Sequence, residues 1–272
     1  MARDYKIVSA DSHLDILANR WAPYVPRKYR ELIPADPAGF VTEEGLEVAA
    51  YEGITARVYP ELGELTADFE NWPGTGSAMQ RVRELDIDGV DAEVLFPGAL
   101  GPANWRANAQ DDDGYRALVR GYNQHLWEEF CPTAPDRIFG LGVMPVTGVD
   151  DAIAEMEQCM RNGLIGVDLC AFPSGLSHPS PDDDRFWAAA VEMHCPITVH
   201  VEFSYPVSTS TGVPTGVSPR SYGGAAAGPA FVYPKRPEKG FNDIILRYAK
   251  YGIRGALHAV QMLWAGVFER FP

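Results

Sequence analysis

Positive charge is scarce in this chain. Its 272 residues include 23 Lys and Arg against 37 Asp and Glu, a formal net charge of −14 with the histidines neutral. Nucleic acids and anionic membrane surfaces both ask for a basic patch, so neither is the expected partner. Long apolar runs are also missing. The opening MARDYKIVSADSH lacks the stretch of about 7–15 apolar residues that a secretory signal needs. No segment approaches the roughly 18 apolar residues of a membrane span. Cysteine is sparse: Cys131, Cys159, Cys170 and Cys195 form no CxxC pair and sit in apolar segments. That usage excludes a disulfide framework or a zinc finger and fits reduced, buried thiols in a cytoplasmic protein. No GxSxG elbow is present, so a Ser-His-Asp hydrolase is disfavoured. Apolar residues, by contrast, make up 46% of the chain, enough for a substantial core and too many for general disorder.

The pattern of elements alternates. Tyr5 to Ala10 reads as a buried strand ending at Asp11-Ser12-His13. An irregular insertion rich in Pro and Gly follows over 17–76. Ser77 starts a helix, with Gln80 at capping-box spacing and Met79, Val82 and Leu85 as its apolar face. Further strands are expected at Ala92–Pro97, Ile138–Met144, Leu164–Phe172 and Pro196–Val201. Helices are expected between them: one opened by Asp111-Asp112-Asp113, one over Asp150–Asn162 capped by Gly163, and one over Asp182–His194. The first of these presents Tyr115, Leu118, Val119, Tyr122, Leu126 and Phe130 on one face. A Gly/Ser/Pro-rich stretch over 204–239 is long enough for a lid, and helical sequence runs from about Phe241 to Phe271.

Strands alternating with helices predict an α/β fold with a parallel sheet. No linker divides two cores, so residues 1–272 read as a single domain. A doubly wound sheet would show a Gly-rich phosphate turn after the first strand, and Asp-Ser-His stands there instead. A (β/α)8 barrel of TIM type places its reactive groups at the C-terminal strand ends, where this chain concentrates polar residues. The barrel is the preferred architecture.

Asp11 and His13 are two residues apart, and alternation along a strand sends both side chains to one face. A carboxylate and an imidazole placed together can share a divalent cation. His200, at the end of the fifth strand, would enter the same mouth and leave a coordination position open for water. Asp11 as a turn cap is the competing reading. His125, His178, His194 and His258 read as packing or surface residues. Asp168, in the fourth strand, faces the barrel or makes a structural hydrogen bond. Trp105 and Phe172 are candidate stacking partners for an aromatic substrate.

The chain resembles the amidohydrolase-2 family of metal-dependent hydrolases, in the branch of aminocarboxymuconate-semialdehyde and resorcylate-type decarboxylases. The resemblance lies in VSADSH, RVRELDIDGVDAEVLFP, YNQHLWEEFCPTAPDRIFGLGVMPV, FWAAAVEMHCPITVHV and GVFERFP, blocks spread along the whole chain. It implies a distorted (β/α)8 barrel, a Zn2+ or alternatively Mn2+ cofactor, and Asp11, His13 and His200 as metal ligands. Asp11 stands where other branches carry His or Glu, and Asp15 where related sequences often carry Glu. The implied chemistry is hydrolysis or non-oxidative decarboxylation of a small, possibly aromatic, carboxylate, and the implied assembly is a homodimer. The family's sixth strand, bearing His or Glu, and its last strand, bearing an Asp that ligates metal and acts as base, have no counterpart before Pro272. Five strands cannot close an eight-strand barrel, so an incomplete, open barrel of about five β/α units and a C-terminally truncated chain are expected. The alternative is a non-catalytic fragment or interaction protein derived from such an enzyme.

Overall fold

The computed structural model describes residues 4–34, 74–98, 101–109, 111–176, 178–200 and 255–272. The segment 204–239 and most of the insertion expected at 17–76 lie outside them. Five strands are present: β1 (Val8–Leu14), β2 (Ala92–Pro97), β3 (Ile138–Val143), β4 (Gly166–Leu169) and β5 (Ile197–Val199). They lie in one sheet in the order β1-β2-β3-β4-β5. The pairs β1–β2, β2–β3 and β4–β5 are parallel. A doubly wound sheet reverses its strand order at a switch point. Sequential order without reversal is the singly wound arrangement of a barrel wall, so the five-unit, open (β/α)8-type architecture is the one the chain adopts.

The helices are α1 (Ala18–Trp21), α2 (Ala78–Asp88), α3 (Pro102–Asn108), α4 (Asp112–His125), α5 (Val149–Arg161), α6 (Asp184–Glu192), α7 (255–264) and α8 (Val267–Arg270). Among the described residues no helix is long and apolar enough to cross a membrane. Two expectations need correction. β1 begins at Val8 rather than Tyr5, runs through Asp11-Ser12-His13, and is mostly exposed where a buried strand was expected. These polar residues stay in the strand because it pairs with β2 on one side and leaves most of its side chains exposed, so their β propensity is not tested by burial. Met79, expected on the apolar face of α2, is 63% exposed, and the helix buries Ala78, Gln80 and Leu85 instead. Part of the irregular region is also more ordered than expected: Ala18–Trp21, Ala22–Tyr24 and Arg27–Leu32 are short helical turns.

Local signals explain most boundaries. The Ser77 hydroxyl accepts from the Gln80 N–H at 3.2 Å, as its spacing predicts, but Gln80 turns its amide to Glu84 rather than closing the capping box. Gly89 ends α2 in the left-handed region at φ +68°, which a side chain would make costly. Asp111 Oδ1 accepts from the Gly114 N–H at 2.7 Å and opens α4. All six residues of the predicted α4 face are buried. The helix runs on as a π-helical turn over Leu126–Phe130 and a 3-10 turn over Cys131–Thr133. Gly140 on β3 lets this segment approach: a Cβ there would lie 2.7 Å from Cys131 Sγ.

The chain packs as two compact units. One gathers the described parts of 1–101, 117–141 and 162–165, and the other those of 102–116, 142–161 and 166–272. The core of the first includes Leu14, Trp21, Leu95, Leu118, Tyr122 and Leu126, with Trp21 edge-on to Tyr122 at 6.3 Å. The core of the second includes Tyr115, Met156, Val167, Phe186 and Trp187. Full burial of each large apolar side chain is worth about 1.5–3 kcal/mol. One charge is set deep in the first unit. Glu93 on β2 is fully buried and accepts two hydrogen bonds from Arg81 of α2, Nε to Oε1 at 2.8 Å and Nη2 to Oε2 at 2.7 Å.

Removing one member of such a pair strands the other in low dielectric. Arg81→Met is therefore expected to cost about 3 kcal/mol in urea unfolding, and the double variant Arg81→Met/Glu93→Leu to recover most of that loss.

Candidate metal centre

β1 carries the first two site residues as a direct consequence of its pairing. Beyond an irregularity between Ser9 and Ser12, Ser12 pairs with Leu95, His13 with Phe96 and Leu14 with Pro97. The His13 imidazole lies beside the Phe96 ring, centroids 6.1 Å apart and planes tilted by 31°. Asp11 and His13 are both exposed. The chain beyond them is held tightly: the Gly98 N–H donates to Leu14 O at 3.0 Å. A Cβ at Gly98 would land on the Asp15 carboxylate, so glycine makes room for that acid at the end of β2.

His200 follows β5 directly and is half-buried. Asp11 and His13 belong to the first compact unit and His200 to the second. Trp105 on α3 and Phe172 after β4, the candidate stacking residues, are both buried. Phe172 makes an edge contact with the His258 ring at 5.9 Å. His258 in turn shares a 2.8 Å hydrogen bond with Gln261, one turn along α7. His194, expected in the last turn of its helix, lies past the end of α6 with φ +52° and is exposed.

Asp168 is 1% exposed in the middle of β4. Its Oδ1 is 2.9 Å from the Thr198 hydroxyl, and its Oδ2 has no hydrogen-bond partner among the described residues. Burial pushes its carboxyl up to about 7, against the opposing pull of the Thr198 hydrogen bond.

The amidohydrolase family model matches residues 10–272. The chain belongs to the amidohydrolase-2 family. The decarboxylase orsB of Emericella nidulans is 26% identical over 155 residues, which make up 56% of this chain and 41% of that protein. Two solved structures share the fold. The 5-carboxyvanillate decarboxylase of Novosphingobium aromaticivorans, with bound manganese and 3-methoxy-4-hydroxy-5-nitrobenzoic acid, matches with a TM-score of 0.55 at 15% identity, covering 98% of this chain and 64% of that one. The dihydroxybenzoic acid decarboxylase of Polaromonas sp. JS666, with manganese and the inhibitor 2-nitroresorcinol, matches with a TM-score of 0.52 at 18% identity, covering 99% and 63%. The chain spans less than two thirds of the length of each of these relatives.

Two features of this amidohydrolase-family chain had no clear sequence signal. Thr198 sits in a short apolar run, and nothing local announces its bond to Asp168. His125, read as a packing residue, is 1% exposed at the start of the π-helical turn, with Nδ1 3.5 Å from Glu129 Oε2. The Tyr24 ring lies 5.5 Å from it, and the Tyr24 hydroxyl donates to the same Glu129 oxygen at 3.0 Å. Burial lowers the His125 pKa to about 4; Glu129 resists the shift and Arg20 adds to it.

A histidine depressed in the folded state contributes stability that is present above its ordinary pKa and is lost as pH falls through the folded value. Stability is therefore expected to fall between about pH 6.5 and pH 4. Thermal melts across that window should show a shallower decline for His125→Gln than for the parent chain.

Proposed function

We propose that this chain binds a divalent cation through Asp11, His13 and His200 and serves the non-oxidative decarboxylation of a small aromatic carboxylate. The observation that carries the reading is the family match over residues 10–272, with Asp11 and His13 two residues apart on the exposed strand β1 and His200 directly after β5. The donor set fits such an ion: one carboxylate oxygen and two imidazole nitrogens suit Mn2+ or Zn2+ and leave positions for substrate or water. Manganese is the first assignment, because both solved relatives hold it, and zinc is the alternative. Decarboxylation is favoured over hydrolysis because orsB and both solved relatives are named as decarboxylases.

In the reaction the bond between the ring carbon and the carboxylate breaks, CO2 leaves, and a proton takes its place on the carbon. The bound cation would act as a Lewis acid toward the substrate's oxygens. The chain's own residues hold and orient. Asp11 brings an acceptor-only carboxylate to the proposed site, and its charge offsets that of the cation. The Phe96 ring beside His13 restricts the tilt of the imidazole. The exposure of Asp11 and His13 leaves both open to a small ligand.

Calorimetric titration of the metal-free chain with Mn2+ is expected to give one site. Asp11→Ala, His13→Ala and His200→Ala should each weaken it by more than about 100-fold, beyond the loss typical of an outer-shell change. CO2 release from 5-carboxyvanillate and dihydroxybenzoates should then require the metal. Binding that ignores all three substitutions would overturn the site. Metal-dependent amide cleavage without CO2 release would replace decarboxylation by hydrolysis. A folded chain that takes up no cation would favour the non-catalytic reading.

A further inference from the structure

Asp168 is the buried titratable group that the proposed reaction does not use. Its Cα is the register partner of Thr198 in the parallel β4–β5 pair. The Thr198 hydroxyl lies between two oxygens, Asp168 Oδ1 at 2.9 Å and the Val167 carbonyl at 3.1 Å. A hydroxyl has one hydrogen and two lone pairs. If Asp168 were ionised, both neighbours would be acceptors competing for one hydrogen, and one of the two contacts would set lone pair against lone pair. Its Oδ2, buried and without a partner among the described residues, would then share an uncompensated negative charge. If Asp168 is a neutral acid, every contact has a direction. The acid O–H donates to Thr198 Oγ1, Thr198 donates to Val167 O, and Oδ2 is left as a weakly demanding carbonyl oxygen.

We infer that Asp168 is a proton-bearing positioning residue whose hydrogen-bond relay through Thr198 to Val167 fixes the end of β5 and with it His200. β5 is three residues long, so its ladder alone gives His200 little support. Thr198 and His200 are two apart, and alternation carried one residue past Val199 would send both side chains to one face, so a side-chain tie at Thr198 would steady the backbone that presents the imidazole. The direction in which burial pushes the Asp168 carboxyl agrees with a neutral acid. Among the described residues, burial and the Thr198 hydroxyl are the influences on it. The positioning role rests on the reading of His200 as a cation ligand, whereas the proton on Asp168 does not.

The test starts on the metal-free chain. Infrared difference spectra between acid and alkaline pH should show a protonated carboxyl band that Asp168→Asn removes. A carboxyl raised above its ordinary pKa contributes stability that is fully present below the ordinary range and is lost as pH rises through about 7. Asp168→Asn, whose amide can donate to Thr198 without titrating, should cancel that loss. Amide exchange at Val199 and His200 should quicken in Asp168→Ala and Thr198→Val and stay near the parent rate in Asp168→Asn. With Mn2+ added, the first two variants should lose about 10-fold in affinity and Asp168→Asn far less. An ionised Asp168 at pH 6, or an Asp168→Asn variant that behaves like Asp168→Ala, would overturn the inference. Failure of the parent chain to bind Mn2+, with the infrared band and the exchange pattern intact, would overturn the cation reading and leave the relay standing.

Discussion

The pairing of β1 with β2 decides which face of the sheet receives Asp11 and His13. Between Ser9 and Ser12 β1 advances three residues while β2 advances two, from Glu93 to Leu95. That is a one-residue bulge, and because side chains alternate with a period of two, one extra residue turns every later side chain to the opposite face. Without it, Ser12 would take the place that His13 occupies beside Phe96. The strand beyond the bulge is anchored by short-range geometry: Gly98 donates to Leu14 O, and Asp15 lies against Gly98 where a side chain would otherwise stand. The face that Asp11 and His13 take therefore depends on backbone register more than on the propensity of their own residues.

This dependence explains what was legible in the sequence and what was not. Order and topology were legible because the buried strands are short continuous apolar runs and the helices between them have clean apolar faces, as the six buried residues between Tyr115 and Phe130 show. The i, i+2 spacing of Asp11 and His13 and the strand-end place of His200 were also legible, because alternation is a local rule. The exposure of β1 was not, since the apolar residues at its start read as a buried strand. Met79 misled because periodicity specifies a helix face only to within a residue, and Ala78 and Gln80 took the buried positions. The Thr198 tie was hidden because its partner lies thirty residues earlier, and only the β4–β5 register brings them together.

Three of the carboxyls buried among the described residues, Glu93, Asp183 and Asp168, meet the cost of desolvation in three ways. Glu93 has a guanidinium: Arg81 reaches both oxygens, and the pair stays anchored between α2 and β2. Asp183 has donors instead. Fully buried beside a 3-10 turn, it accepts from the Ser174 N–H at 2.5 Å, the Ser174 hydroxyl at 2.9 Å and the Ser180 N–H at 2.8 Å. Each oxygen of both groups has at least one donor, the environment that an acceptor-only anion requires. Asp168 has neither solution. One of its oxygens meets a hydroxyl whose hydrogen is wanted elsewhere, and the other meets nothing among the described residues.

With no cation and one contested hydrogen among the described residues around it, the least costly change open to Asp168 is to keep its proton, as proposed. On the proposed reading, a neutral acid supplies direction without charge and aligns Thr198. The difference among these three carboxyls thus follows from the donors that the fold places around each, and the one with the fewest donors among the described residues is the one proposed to steady His200 without a charge of its own.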